Sequence, residues 1–238
     1  MRVKTGINGL DELAEGGFPD RTVNLLSGPA GSAKSLFCMQ YVHRGAVDYG
    51  DVGIYITLEE SRDNVLRAAK AYGMDLQSLE KNGKIYLLDF GEIRTEVDMG
   101  EELNLGIVSF ANLRDLLEKM LNKTGARRLV IDSISAIGLY YGNQEELRRE
   151  MFAFCRFLKN QDVTSILITE AVENLRTRFD VEQFLADSII SLGYENVGGE
   201  YRRTITIYKM RFTRHEPYKH PFLITKSGIE IDHEEIIY

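Results

Sequence analysis

Short apolar runs alternate along this chain with longer segments whose apolar residues recur every three or four positions. This is the pattern of strands buried on both faces with helices packed over them. Thr22–Leu26, Val52–Leu58, Ile85–Leu88, Arg127–Asp132 and Thr164–Ile168 predict strands. Between them, Leu36, Phe37, Met39, Tyr41 and Val42 read as a largely buried helix opening at Lys34, and Ser61 is placed to cap a helix over Arg62–Tyr72. Phe110, Leu113, Leu116, Leu117, Met120 and Leu121 form one stripe on a helix over Ser109–Asn122, and Leu147, Met151, Phe154, Cys155 and Leu158 do so over Gln144–Asn160. Residues 3–21 predict a short helix between glycine turns, and Asp89–Gly106 a long polar connection. Past Phe184 the period changes: Ala186–Leu192, Thr204–Tyr208, Pro221–Ile224 and Ile229–Ile231, with turns at Asn196–Glu200 and Gly228, predict antiparallel hairpins. The fold class is α/β, with a mostly parallel central sheet and C-terminal antiparallel strands.

At 238 residues, with no Pro/Gly/Ser-rich linker, the chain is expected to form one domain over 1–238. It has no apolar run of 18 residues, and Met1-Arg2-Val3-Lys4 lacks the apolar core of a secretory signal, so a cytoplasmic protein with no membrane contact is expected. Cys38 and Cys155 are far apart inside apolar segments and read as buried thiols. The histidines have no metal-ligand spacing.

A net charge of −7 argues against non-specific nucleic-acid binding over the whole surface. Charge is unevenly spread, however. Arg202, Arg203, Lys209, Arg211, Arg214, Lys219 and Lys226 set against Glu216 make residues 202–226 +6 and the remainder −13. In an isolated chain Lys209, Arg211, Arg214 and His215 are expected to repel one another with no anion nearby.

Candidate chemistry centres on Gly28-Pro29-Ala30-Gly31-Ser32-Ala33-Lys34-Ser35. In the phosphate-binding pattern G-x-x-x-x-G-K-[ST], backbone N–H groups surround a phosphate, Lys reaches the terminal phosphates and the hydroxyl holds Mg²⁺. Gly28, Lys34 and Ser35 fit; Ala33 stands where the pattern has Gly, and a methyl there obstructs the backbone if φ is positive. Glu59 and Glu60, at the tip of a strand, are placed to orient or deprotonate a water attacking a γ-phosphate, or to stabilise the following helix as first-turn acids. Asp132 ends an apolar strand and can hold the Mg²⁺ shell or cap a helix. Thr169 and Glu170 end another, within reach of the γ-phosphate or simply closing the strand.

Taken in order, these motifs resemble those of the RecA-like ATPases and, within them, the single-domain KaiC-like group of archaea and bacteria. The resemblance rests on Thr5-Gly6-Ile7…Gly9-Leu10-Asp11 with Gly16-Gly17-Phe18-Pro19, on Gly28–Ser35, Leu58-Glu59-Glu60-Ser61 and Val130-Ile131-Asp132-Ser133, and on Ala186–Ile190 and Lys209-Met210-Arg211-Phe212-Thr213-Arg214-His215. It implies a RecA-like P-loop three-layer α/β/α fold that binds ATP or ADP with Mg²⁺. Glu59 and Glu60 would be catalytic together with Lys34, and Asp132 with Ser35 would be on the metal side. Lys209 and Arg211, with His215 of the same motif, would reach the nucleotide of a neighbouring subunit in a homo-oligomeric, usually hexameric, ring. On this reading hydrolysis serves a protein partner. The alternatives are an accessory factor similar to RadA-type paralogues that binds nucleic acid, and a degenerate scaffold with little hydrolysis.

Overall fold

The computed structural model describes residues 1–91, 109–138, 141–172, 176–177 and 185–237. The polar connection expected over 89–106 therefore falls, from residue 92 on, outside the described residues. The strands are β1 (Arg2–Val3), β2 (Phe18–Pro19), β3 (Val23–Gly28), β4 (Gly53–Thr57), β5 (Ile85–Asp89), β6 (Arg128–Asp132), β7 (Thr164–Val172), β8 (Arg176–Thr177), β9 (Ser188–Val197), β10 (Glu200–Met210), β11 (Lys219–Thr225) and β12 (Gly228–Ile231). The helices are α1 (Leu10–Leu13), α2 (Lys34–Asp48), α3 (Arg62–Ala71), α4 (Leu76–Lys81), α5 (Phe110–Thr124), α6 (Ile134–Gly138) and α7 (Gln144–Lys159).

The main sheet runs β12-β11-β10-β9-β3-β7-β6-β4-β5, with β8 on β7. Pairing is parallel from β9 through β5 and antiparallel from β9 through β12. Alternate residues of the central strands serve opposite faces. Leu26, Tyr55, Val130, Ile166 and Ile168 pack with α2, α3 and α4, while Leu25, Ile54, Ile56, Ile131 and Leu167 pack with α5 and α7. The result is three layers, helices on both faces of one sheet.

Helix starts follow local chemistry. Ser61, Ser109 and Asn143 each accept from the backbone N–H three residues on, at 3.3, 3.2 and 2.8 Å. Two helices lie outside the sequence expectations. Helix α4 is too short to show a stripe, although Asp75 caps it by accepting from the Ser78 N–H at 3.0 Å. Helix α6 is a single turn and a half hidden behind Asp132. The β9–β10 hairpin turns on Gly198 and Gly199, both at positive φ (64° and 96°), and pairs as far as Val197 with Glu200, well past the predicted Leu192.

One buried cation ties α2 to the sheet. Arg128, 1% exposed, donates to Asp51 Oδ2 at 2.8 Å and to the Tyr41 carbonyl at 3.0 Å, and lies 4.6 Å from the Tyr41 ring centroid and 5.3 Å from that of Tyr49. Among the described residues no helix is long and apolar enough to cross a membrane.

A candidate nucleotide site at the strand ends

Parallel pairing brings the C-terminal ends of β3, β7, β6 and β4 to one edge of the sheet, where open α/β sheets take ligands. Gly28 is level with Glu170, and Asp132 with Thr57. Between these ends lies a cleft of about 690 Å³ lined by Gly28, Pro29, Ala30, Gly31, Ala33, Lys34, Ser35, Glu59, Glu60, Asp132 and Glu170. Of the sequence-predicted site, the structure thus gathers the glycine loop and all four acids. Ser32 is the buried exception, its hydroxyl donating to the Pro29 carbonyl at 2.8 Å inside the loop.

The loop is shaped to hold an anion. A Cβ at Gly28 would stand 2.5 Å from Ser32 Oγ and 2.6 Å from the Leu192 carbonyl oxygen, so only glycine fits there. No side chain caps the start of α2, and its first residues, Lys34 and Ser35, line the cleft. Ala33, at the N-cap, has φ 74° and ψ 28°, the left-handed region that disfavours a Cβ. The sequence-level concern about this residue therefore has a geometric basis. Lys34 Nζ donates to the carbonyls of Gly28 at 2.7 Å and Pro29 at 2.9 Å. Burial holds its pKa below the usual lysine value, against the pull of Asp132, Glu170 and Glu59.

Opposite the lysine, Asp132 accepts from the Tyr55 hydroxyl at 2.7 Å, and the Ser35 hydroxyl is within hydrogen-bonding reach of both. Burial raises the Asp132 pKa, against the hydrogen bonds from Tyr55 and Ser35. A carboxylate and a hydroxyl oxygen held together beside the loop form the hard donor set that suits Mg²⁺, which takes few protein ligands. The two glutamates are held differently. Ser133 Oγ donates to Glu59 Oε2 at 2.8 Å across the cleft floor. Glu60 is drawn toward α3 by Asn64 Nδ2 at 3.1 Å, and its backbone exchanges hydrogen bonds with Thr57 Oγ1 at 2.7 and 3.1 Å. Thr169 is buried against Ser135, whose hydroxyl also receives the Glu170 N–H at 3.1 Å, so of this pair only Glu170 reaches the cleft.

The basic segment divides. Arg203 lines the cleft in its own chain, donating to the Gly31 carbonyl at 3.2 Å and lying 4.7 Å from the Tyr194 ring centroid. In the sequence it is legible only as one of the charges of residues 202–226. Lys209 and Arg211 are elsewhere. Met210 is level with Ser188, and Ser188 with Asn24, near the opposite end of β3 from Gly28. Four residues of strand, about 13 Å, separate Asn24 from Gly28. There Lys209 donates to the Ala186 carbonyl at 2.7 Å, and Arg211 to Asp187 Oδ1 at 3.2 Å. His215, half-buried, lies in the loop beyond. The expectation that these cations lack an anion is corrected: Asp187, 8% exposed, pairs with both Arg211 and Lys159. It was missed because it is distant in sequence. Arg202 and Lys219 are likewise met by Glu235 and Glu195, which removes much of the positive surface a nucleic acid would need.

Fold and site together define a RecA-like P-loop protein: a glycine-rich loop between β3 and α2, with an acid at the end of β6, one strand beyond β7. The family model described as "ATPase: KaiC" matches residues 3–236, and the chain belongs to that family. It is 35% identical over 230 residues to the circadian clock oscillator protein KaiC of Parathermosynechococcus lividus, covering 96% of this chain but 42% of that protein. It is 33% identical to the UPF0273 protein MJ1359 of Methanocaldococcus jannaschii, over 99% of this chain and 98% of that one. The crystal structure of the KaiC-like protein PH0186 from Pyrococcus horikoshii OT3 superposes with a TM-score of 0.84 at 36% identity, covering 97% of this chain and 98% of that one. The chain thus spans less than half the length of the clock proteins it matches.

Proposed function

We propose that this chain binds ATP with Mg²⁺ and hydrolyses it slowly at the interfaces of a homo-oligomeric ring, expected to be a hexamer, to regulate a protein partner. One observation carries the reading. The loop, Lys34, Ser35, Asp132, Glu59 and Glu60 share one cleft, while the predicted trans-acting Lys209 and Arg211 sit at the other end of the sheet. Their distance from their own cleft supports a role at a neighbour's.

In this reading the backbone of Gly28–Ser35 and the Lys34 ammonium bind the phosphates, and Ser35 and Asp132 hold Mg²⁺. When bound, the ion offsets phosphate charge. Glu59, steadied by Ser133, orients the attacking water and accepts its proton, while Glu60 keeps α3 in register with the cleft. Arg203 contacts the nucleotide in its own chain. Arg211 exchanges Asp187 for the neighbour's phosphates and stabilises charge that develops as the γ-phosphoryl group leaves. The left-handed Ala33 supports slow turnover.

Phosphate release and light scattering, with and without ATP and Mg²⁺, test both halves. Glu59→Gln is expected to abolish release and keep ATP binding, and Arg211→Ala to lower turnover and make oligomer mass insensitive to ATP. If Arg211→Ala hydrolyses and assembles normally, the trans role is wrong.

A further inference from the structure

The loop that follows β10 presents a side chain that nothing in the proposed chemistry uses. Phe212 is 82% exposed, and its φ is 62°, a left-handed backbone rarely adopted by a bulky residue. The conformation is held from outside the residue. Arg2 donates to the Phe212 carbonyl at 3.1 Å and to Thr213 Oγ1 at 2.6 Å, and Glu15 Oε2 accepts from both Arg2 and the Arg214 N–H at 3.1 Å. The loop is therefore tied down by its backbone with the ring turned out.

Elsewhere on the surface, a groove of about 520 Å³ runs between α2 and α3. Met39, Val65, Ala68 and Ala71 supply its apolar lining, and it shares Ser35, Glu60 and Asp132 with the nucleotide cleft. The two hollows are thus adjacent across one wall. Arg67, the cation on the rim, is turned onto Asn64 Oδ1.

We propose that this groove receives Phe212 from a second copy of the chain. The inference rests on the trans role of Arg211 argued above and adds to it a residue and a receptor. Consecutive residues must land in consecutive places: if Arg211 reaches into a neighbour's cleft, Phe212 arrives at the hollow next to it. Charge agrees, because Arg214 follows the ring on its chain while Glu60 borders the groove. The left-handed backbone then has a purpose, since it projects an aromatic anchor away from the chain that bears it, at a cost to the isolated subunit.

Sedimentation velocity with ATP and Mg²⁺, on the full chain, provides the test. Phe212→Gly, which empties the knob, and Ala68→Phe, which fills the groove, are each expected to raise the protein concentration at half-assembly by on the order of 10- to 100-fold. The nucleotide-free Phe212→Gly chain is expected to melt no lower than wild type, because glycine accepts the positive φ. A variant carrying both Phe212→Cys and Ala68→Cys is expected to cross-link between copies on oxidation; the native Cys38 and Cys155 are buried. If wild type assembles with ATP and depends on Arg211, yet Phe212→Gly assembles equally tightly and the cysteine pair does not link, this inference falls and the ring stands. A wild-type chain that stays monomeric with ATP and Mg²⁺ overturns the ring and the inference together.

Discussion

Ala33→Gly isolates one atom at the centre of the candidate site. At φ 74° the Ala33 methyl group works against the backbone it sits on. The left-handed conformation costs a non-glycine residue about 1–2 kcal/mol. Glycine recovers that amount but frees the unfolded chain, which offsets about 0.4–1 kcal/mol. The methyl is only half-buried against the core, so its loss subtracts a few tenths more at ~25 cal/mol per Å². The central net is a gain of about 0.5 kcal/mol, which for a chain of this size raises Tm by about 1–2 °C. Differential scanning calorimetry of the nucleotide-free protein reads this directly. Titration calorimetry with ATP and Mg²⁺ reads the second half, an increase in affinity as the backbone comes closer to phosphate. Had Ala33 been helical, the same change would cost about 1 kcal/mol, so the two geometries predict opposite signs. A Tm that falls, with affinity unchanged, refutes the strain argument.

Other substitutions report on separate parts of the site. Lys34→Ala is expected to abolish ATP binding by calorimetry, since the ammonium is the full positive charge that the loop itself supplies. Tyr55→Phe removes the hydroxyl that fixes Asp132 and is expected to weaken Mg²⁺-dependent ATP binding about 10-fold while leaving metal-free binding unchanged; equal loss in both would make Tyr55 merely structural. Outside the cleft lining, Arg62 bonds both carboxylate oxygens of Glu80 and holds its pKa below the usual glutamate value. A carboxylate with a depressed folded pKa stabilises above its unfolded pKa and loses that contribution as pH falls through the folded one. Glu80→Gln is therefore expected to cost about 1 kcal/mol at pH 7, measured by urea unfolding, with the gap closing in acid as wild-type Glu80 protonates.

The strands and long helices were legible because each combines a period with an end signal. Val23–Gly28 and Arg128–Asp132 end on residues that line the cleft, and Gly53–Thr57 ends two residues before Glu59. What escaped were contacts between distant positions. Nothing near Asp187 foretells that it meets Arg211 and Lys159, or near Tyr55 that its hydroxyl meets Asp132, since strand order is not written in local pattern. Arg203 carried a signal, its charge, but only pairing through β9 to β3 reveals which end of the sheet it occupies. Ser133 was visible beside Asp132 in the motif, yet its bond to Glu59 needs β4 and β6 to be neighbours. For Ala33 the sequence leaves two backbone conformations open, and the left-handed one is present in the fold.

The buried Arg128 lies far from the cleft, yet it bears on how accurately the cradle is aimed. Helix α2 runs Lys34–Asp48, about 22 Å at 1.5 Å per residue, with the phosphate loop at one end and the Arg128 clamp on Tyr41, Tyr49 and Asp51 toward the other. A rod of that length pivoting about its far end moves its tip by 1 Å for a tilt of only about 3°, and a misplacement of about 1 Å can cost 100-fold in rate. The clamp leaves little play: a Cβ on Gly45 would stand 2.2 Å from Arg128 Nε. Arg128 thus adds a fixed point toward the far end of α2 to the core packing of Leu36, Phe37, Met39 and Val42, and a residue remote from the loop helps to hold its direction.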